Sequence, residues 1–244
     1  METNIDKYKQ ILEKLDQLAS NDENFKKLLC DKYGNHPDKY ENTDDFHSLV
    51  VLHHNKCRSV ARNYYKKIKE QKLRMQLIDY HANMLWFKSI RDVPGFFVNV
   101  NYQIEDMMNY YLAQTDFYNK VNSYPTNYSH KIIINPGSNY EIDINICEGL
   151  KKNDINIPIK QISMWNKIVF WAVDTNHMDF VRSQASNFSS IINIRNESNH
   201  ADYLKTTKST DYWNSMEDDM SYSFIYAIIK IIRESIIDLQ NNIS

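Results

Sequence analysis

Near its carboxy end the chain reads Phe224-Ile-Tyr-Ala-Ile-Ile-Lys-Ile-Ile-Arg-Glu-Ser-Ile-Ile-Asp-Leu-Gln240. Apolar residues recur there at spacings of three and four, the period of an α-helix with one buried face. The predicted core face consists of Phe224, Ile228, Ile231, Ile232 and Leu239, and the other side carries Lys230, Arg233, Glu234 and Asp238. Upstream, Ser215-Met-Glu-Asp218 matches a capping box. The stretch predicts a final helix from about 215 to 240.

The rest of the chain also favours helices. Only four glycines and five prolines occur in 244 residues, and the segments 38–93 and 159–244 contain neither. Long segments without these residues are what long helices require. We expect two weaker helices at about 4–19 and 22–32, a long helical region at about 44–90, and helices at about 103–122, 160–177 and 179–194. The apolar stripe of the long region is Val50, His54, Cys57, Ala61, Tyr64 and Ile68.

One segment has a different pattern. Lys131-Ile-Ile-Ile-Asn135 and Tyr140-Glu-Ile-Asp-Ile-Asn-Ile146 flank Pro136-Gly137-Ser138-Asn139. Alternation on the second arm and turn-forming residues at the centre indicate a β-hairpin near 131–146. We therefore predict an all-α protein, a single helical domain over 1–244 with a small hairpin insertion.

Composition narrows the function classes. A net charge of -2 gives no general attraction to nucleic acid, so a nucleic-acid site must come from local charge. The three cysteines, Cys30, Cys57 and Cys147, are far apart and lack paired spacing, which argues against disulfides and zinc. No apolar run approaches the roughly 18 residues of a membrane span. The amino terminus lacks the features of a secretion signal. A cytoplasmic location without membrane contact is expected.

The strongest motif stands between the last two predicted helices, in Ile191-Ile-Asn-Ile-Arg195-Asn196-Glu-Ser-Asn-His200. An arginine, a polar residue and a histidine after a short spacer resemble the signature of the HEPN superfamily. The resemblance is best over about 160–240, where an apolar helix precedes the motif and an amphipathic helix follows it. It implies a HEPN-like helical bundle and ribonuclease activity.

The residue types suit RNA cleavage without a metal or cofactor. The unperturbed pKa of histidine, about 6.5, lets His200 act as general base or acid on a ribose 2′-hydroxyl near pH 7. The permanently charged fork of Arg195 would stabilise the negative charge that develops on the phosphate oxygens. Asn196 would hold the phosphate or orient the histidine. The expected products carry a 2′,3′-cyclic phosphate and a 5′-hydroxyl.

The resemblance also implies a homodimer with a composite active site, because one histidine cannot easily serve both the attacking and the leaving oxygen. On a continuous helix, residues five apart point about 140° from one another. Arg195 and His200 would then meet through the long arginine side chain, a local break or a partner's motif. A role in bacterial toxin–antitoxin systems or anti-phage defence, with an antitoxin or activating partner, is implied by the same resemblance.

Two alternatives stay open. In a purely structural interpretation, Arg195 pairs with Glu197 or Asp202 and His200 packs against the last helix. In the other, the chain is a catalytically silent HEPN-like module that binds RNA or a protein partner. Glu197 favours the catalytically silent module, because it places a negative charge beside the expected position of the phosphate.

Other residues could take part in RNA binding or mimic the motif. Four cations at helical spacing could form an RNA-docking surface or a solvated helix face: Arg58, Arg62, Lys66 and Lys69. Arg74 and His81 also match the arginine-to-histidine spacing, but they fall inside a continuous helical pattern and we interpret the match as coincidence. The adjacent His53 and His54 are a poor helical metal pair and are expected at the core or its boundary.

Overall fold

The computed structural model describes residues 46–90, 92–124, 129–135, 140–145, 157–198 and 223–243. These residues are mostly helical, which confirms the all-α class. The described part of the chain contains the helices α1 (Phe46–Tyr65), α2 (Gln71–Ser89), α3 (Val93–Gln114), α4 (Phe117–Ser123), α5 (Met164–Asp174), α6 (Met178–Ser183), α7 (Ala185–Ser198) and α8 (Ser223–Asn242). The predicted helices at 4–19 and 22–32 and the capping box at 215–218 lie outside it.

The predicted helical region at 44–90 consists of two helices, α1 and α2. Helices α1 and α2 pack side by side and run antiparallel, as the contacts of His53 with Ser89 and of Arg58 with Asp79 require. The chain turns at 66–70, although no glycine or proline stands there. The Glu70 carboxylate accepts hydrogen bonds from the first backbone N–H groups of α2 and so caps it.

Helix α3 begins about ten residues before the predicted start at 103. Pro94 lies in its first turn, where the missing N–H costs no hydrogen bond, and the Asp92 carboxylate caps the Gly95 N–H at 3.0 Å. Gly95 is required by packing, because a Cβ there would lie 2.6 Å from ring atoms of Phe87. The helix stops at Gln114, since Asp116 takes a left-handed conformation with φ 48°.

Helix α3 is the centre of the described part of the chain. It packs against α2, α4, α5, α7 and α8. Its length is lined with buried apolar side chains, including Phe96, Phe97, Val100, Ile104 and Met107. The burial of this surface from all sides stabilises the bundle through the hydrophobic effect.

Helix α8 lies on this core, and its buried face overlaps the predicted one at Ile228 and Ile232 only. Ile225, Ile228, Ile229, Ile232 and Ile236 are all fully buried, and Phe224, Ile231 and Leu239 lie at the edge of the same face. The prediction of this amphipathic helix is confirmed for its described length. The predicted helix at 160–177 is α5, capped by Ser163 and preceded by a 3₁₀ turn at Ile159–Gln161, and the one at 179–194 is divided between α6 and α7.

The strands β1 (Ser129–Asn135) and β2 (Tyr140–Asn145) pair antiparallel, at the position predicted for the hairpin. The register shifts between Ile133 and Asn135, which indicates a bulge near the end of β1. Ile132 is fully buried whereas Ile133 is 55 % exposed, as alternation along a strand requires. Because β1 packs against α6 and α7 and β2 against α5, the hairpin is part of the helical body.

Within the described ranges, none of the helices has the length and apolar character of a bilayer span.

Candidate functional site

The first half of the predicted HEPN motif lies in the last described turn of α7. Arg195 and Asn196 are helical, and His200 lies outside the described residues. Arg195 follows the buried Ile191 by four positions and the buried Phe188 by seven, so its Cα lies on the side of α7 that these residues share. Helix α7 is anchored by its packing against α3, α6 and β1. The structure therefore places the backbone of the motif's first two residues at the end of a well-packed helix.

The four predicted RNA-binding cations do not form one helical face, because α1 ends at Tyr65 before Lys66 and Lys69. Arg58 forms an ion pair with Asp79 across the helical hairpin, with 2.7 Å between Nη2 and Oδ1. Lys69 contacts Gln240 at the end of α8, and its Nζ donates to the Gln240 carbonyl at 3.3 Å. Arg62 is exposed on α1, and Lys66 belongs to a different surface, a cavity beside α8.

This cavity, about 510 Å³ in volume, lies where the end of α1 and the following turn meet α8. Its size is within the range of small-molecule sites, roughly 300–1,000 Å³. Asn63, Tyr64 and Ile237 line part of it. Its charged lining consists of the cations Lys66, Lys67, Lys230 and Arg233 and the carboxylates Glu234 and Asp238. The balance is positive, in contrast to the net negative charge of the chain.

Arg233 is held rigidly in the wall of the cavity. Its guanidinium lies 3.9 Å from the centre of the Tyr64 ring, and its Nη1 donates to the Tyr64 carbonyl at 3.0 Å. The Tyr64 ring also stacks on the His81 ring, with 4.7 Å between centroids and 12° between planes. Only 15 % of the Arg233 side chain is exposed. The sequence placed Arg233 on the polar side of the last helix, but the structure buries most of it against α1.

Glu234 engages two of these cations, Lys230 and Arg233, only weakly. Glu234 Oε1 lies 3.7 Å from Arg233 Nη2 and 4.0 Å from Lys230 Nζ, both beyond hydrogen-bond distance. Within the described ranges, the buried Nε of Arg233 and the buried hydroxyl of Tyr64 have no hydrogen-bond partner. Donors of this kind are stabilised by an acceptor.

Behind Tyr64, a hydrogen-bond network is buried around Gln103. The Gln103 Nε2 donates to the Asn99 carbonyl at 3.0 Å. Because a carbonyl can only accept, this contact fixes the orientation of the Gln103 amide and places its Oε1 on the opposite side. The Oε1 accepts hydrogen bonds from Tyr65 Oη and from His81 Nδ1, both at 2.8 Å. His81 therefore carries its proton on Nδ1.

The same environment keeps His81 neutral. Burial lowers its pKa to about 4; the hydrogen bond to Gln103 opposes this shift, and the nearby Arg233 charge adds to it. The side chain is 2 % exposed. Arg74, the other member of the second motif match, donates from Nη1 to the Ile68 carbonyl at 3.1 Å and so supports the turn before α2. Both residues have contacts that account for them structurally.

The paired histidines lie at the boundary of the core, as expected. His53 Nε2 lies 2.9 Å from Ser89 Oγ, His54 Nε2 lies 3.3 Å from Asn83 Oδ1, and both rings contact Trp86. Burial raises the pKa of the nearby Cys57 thiol to about 11, so this cysteine is a poor nucleophile. In the described part of the chain, no three His, Cys, Asp or Glu residues are grouped as a metal site requires.

Comparison with known protein families, with curated proteins and with solved structures finds no match for this chain. The cationic cavity was missed from the sequence: only Lys66 was among the predicted RNA-binding residues. A signal existed in the two cations on the last helix, Lys230 and Arg233, but nothing in the sequence showed that they face the end of α1.

Proposed function

We propose that the chain is a metal-independent endoribonuclease of the HEPN type, with Arg195, Asn196 and His200 at its active site. The observation that carries the proposal is the motif itself, an arginine and an asparagine followed by a histidine after three residues. An all-α body and an amphipathic helix after the motif support it, because they match the context in which the HEPN signature occurs.

The division of labour follows from the chemistry of the three side chains. His200 removes the proton of the ribose 2′-hydroxyl or protonates the leaving 5′-oxygen. Arg195 stabilises the charge that develops on the phosphate oxygens, and Asn196 holds the phosphate or orients the histidine. The bond between phosphorus and the 5′-oxygen breaks as the 2′-oxygen attacks, leaving a 2′,3′-cyclic phosphate and a 5′-hydroxyl.

In this proposal the enzyme acts as a homodimer, so that two histidines serve the two oxygens. Restraint by an antitoxin or release by an activating partner would suit a cytoplasmic enzyme that cuts cellular or phage RNA. The rival function is a silent module that binds RNA without cutting it. Glu197 inside the motif favours the rival, because its negative charge would oppose binding of a phosphate.

The test is cleavage of a mixed RNA pool in the presence of a chelator by the parent chain and by the Arg195→Ala and His200→Ala variants. Asn193→Ala is the matched control, because Asn193 is exposed on the same helix just before the motif. We expect the parent and the control to leave cyclic-phosphate ends, and the two motif variants to lose cleavage by at least about 100-fold. Circular dichroism would show that all four proteins are equally helical.

The outcomes separate the alternatives. Cleavage by His200→Ala at the parent rate would show that the site is wrong. A parallel reaction without chelator completes the test: cleavage there that stops when chelator is added would indicate a metal-dependent enzyme. RNA binding by the parent without any cleavage would favour the silent module.

A further inference from the structure

We propose that the cavity between the end of α1 and α8 is a docking site for the phosphate backbone of single-stranded RNA. The choice of RNA as the ligand rests on the proposed function. The evidence for the site is separate from the Arg195 motif. It consists of the charges that line the cavity, the fixed position of Arg233, and the Tyr64 ring that is already stacked on both sides.

The charges of the cavity favour a polyanion. Lys66 and Lys67 lie on the turn after α1, and Lys230 and Arg233 lie one helical turn apart on α8, so cations border the cavity from two sides. Two carboxylates oppose these four cations. A cleft lined mainly by one sign of charge concentrates its field and attracts counter-ions, whatever the net charge of the protein.

Arg233 is suited to hold one phosphate. The tyrosine ring and the Tyr64 carbonyl fix its guanidinium, so little side-chain freedom is lost when a ligand binds. Its contact with Glu234 is too long for a hydrogen bond, so a phosphate oxygen at hydrogen-bond distance would be a better acceptor. The exposed lysines then serve the neighbouring phosphates as mobile charges.

The cavity is suited to phosphates rather than to bases. Base recognition in single strands depends on an aromatic face on which the base can stack. The Tyr64 ring is already stacked by the Arg233 guanidinium and the His81 ring. Binding should therefore be independent of RNA sequence and strongly dependent on salt.

The experiment compares two triple variants of the full chain in a His200→Ala background, which prevents cutting. Lys66→Gln/Lys67→Gln/Lys230→Gln removes the exposed cations of the cavity. The control, Lys72→Gln/Lys160→Gln/Arg182→Gln, removes three exposed cations elsewhere. Fluorescence anisotropy of labelled single-stranded RNAs of different sequence measures the affinity over about 50 to 300 mM salt.

We expect the cavity variant to bind roughly tenfold more weakly at low salt, equally for all sequences, with a salt slope smaller by about 2. This value corresponds to about 0.7 for each lost phosphate contact of a single strand. The control should bind like the parent. Replacing the three cavity lysines by arginine, which keeps the charges, should retain binding.

If both triple variants lost RNA affinity equally, the loss would be due to overall charge, and the docking site would be wrong. Unchanged RNA affinity of the cavity variant would also overturn it. Complete displacement of RNA by millimolar AMP at constant ionic strength would show a site for a free nucleotide and would overturn it too. The cleavage test is independent. A parent that binds RNA through the cavity without cutting it retains this inference and loses the proposed function. When the same three cavity substitutions are made in the parent chain, cleavage with an unchanged KM would retain the proposed function and overturn this inference.

Discussion

Gln103 holds the buried network behind the cavity together, and replacing it by leucine should destabilise the fold strongly. The substitution removes the acceptor of two buried donors, Tyr65 Oη and His81 Nδ1, each 2.8 Å from Gln103 Oε1. It also removes the donor of the Asn99 carbonyl. Because Gln103, Tyr65 and His81 are all buried, water cannot replace the lost partners without opening the core.

The size of the effect follows from the two orphaned donors. A buried donor without a partner costs about 1–3 kcal/mol, and the apolar leucine recovers part of the loss, so the free energy of unfolding should fall by about 3 kcal/mol. For a chain of this size that change corresponds to a melting temperature lower by roughly 6–12 °C. Tyr65→Phe alone leaves Gln103 paired with His81 and should cost about 1 kcal/mol.

The double variant, Tyr65→Phe with Gln103→Leu, tests the hydrogen bond between these two residues. With phenylalanine at 65, leucine at 103 leaves only His81 without a partner, so the two substitutions together should cost about 1–2 kcal/mol less than the sum of the single ones. Urea unfolding followed by circular dichroism near pH 7.5 measures all four free energies. Gln114→Leu is the matched control, because Gln114 is exposed at the end of the same helix and should change stability by less than about 0.5 kcal/mol.

A Gln103→Leu variant as stable as the parent would refute the buried network. Strictly additive effects of the two substitutions would show that Tyr65 and Gln103 do not share a hydrogen bond.

Two further predictions concern the same region. Because His81 has a pKa of about 4 in the folded chain and about 6.5 when unfolded, the unfolded state binds the extra proton. His81 therefore contributes about 3 kcal/mol to the free energy of unfolding above pH 6.5, and this contribution is lost as the pH falls towards 4. In His81→Gln, the free energy of unfolding should depend less steeply on pH over this range. Parallel curves for the variant and the parent would contradict this. Gly95→Ala should destabilise the fold by about 1–3 kcal/mol in thermal unfolding, despite the higher helix propensity of alanine, because the new Cβ meets the Phe87 ring. Adding Phe87→Leu should relieve part of the loss, and a Gly95→Ala variant more stable than the parent would show that the ring moves without cost.

The sequence by itself determined the helical class, the approximate position of the hairpin and the amphipathic character of α8. These features follow from local periodicity and turn residues, which are visible in a short window. It also supplied the Arg195 motif, which remains a prediction about chemistry because His200 lies outside the described residues.

The tertiary structure decided where helices break and which charges meet. The turn at 66–70 has no glycine or proline to mark it. It is stabilised by the local cap of Glu70 on α2 and by the burial of Ile68 in the core, and this burial requires the tertiary structure. Arg233 looks like a solvated residue in the helical pattern, yet it stacks on Tyr64, more than 160 positions earlier in the chain. Periodicity tells which side of a helix is polar, but only the packing of distant helices tells what that polar side faces.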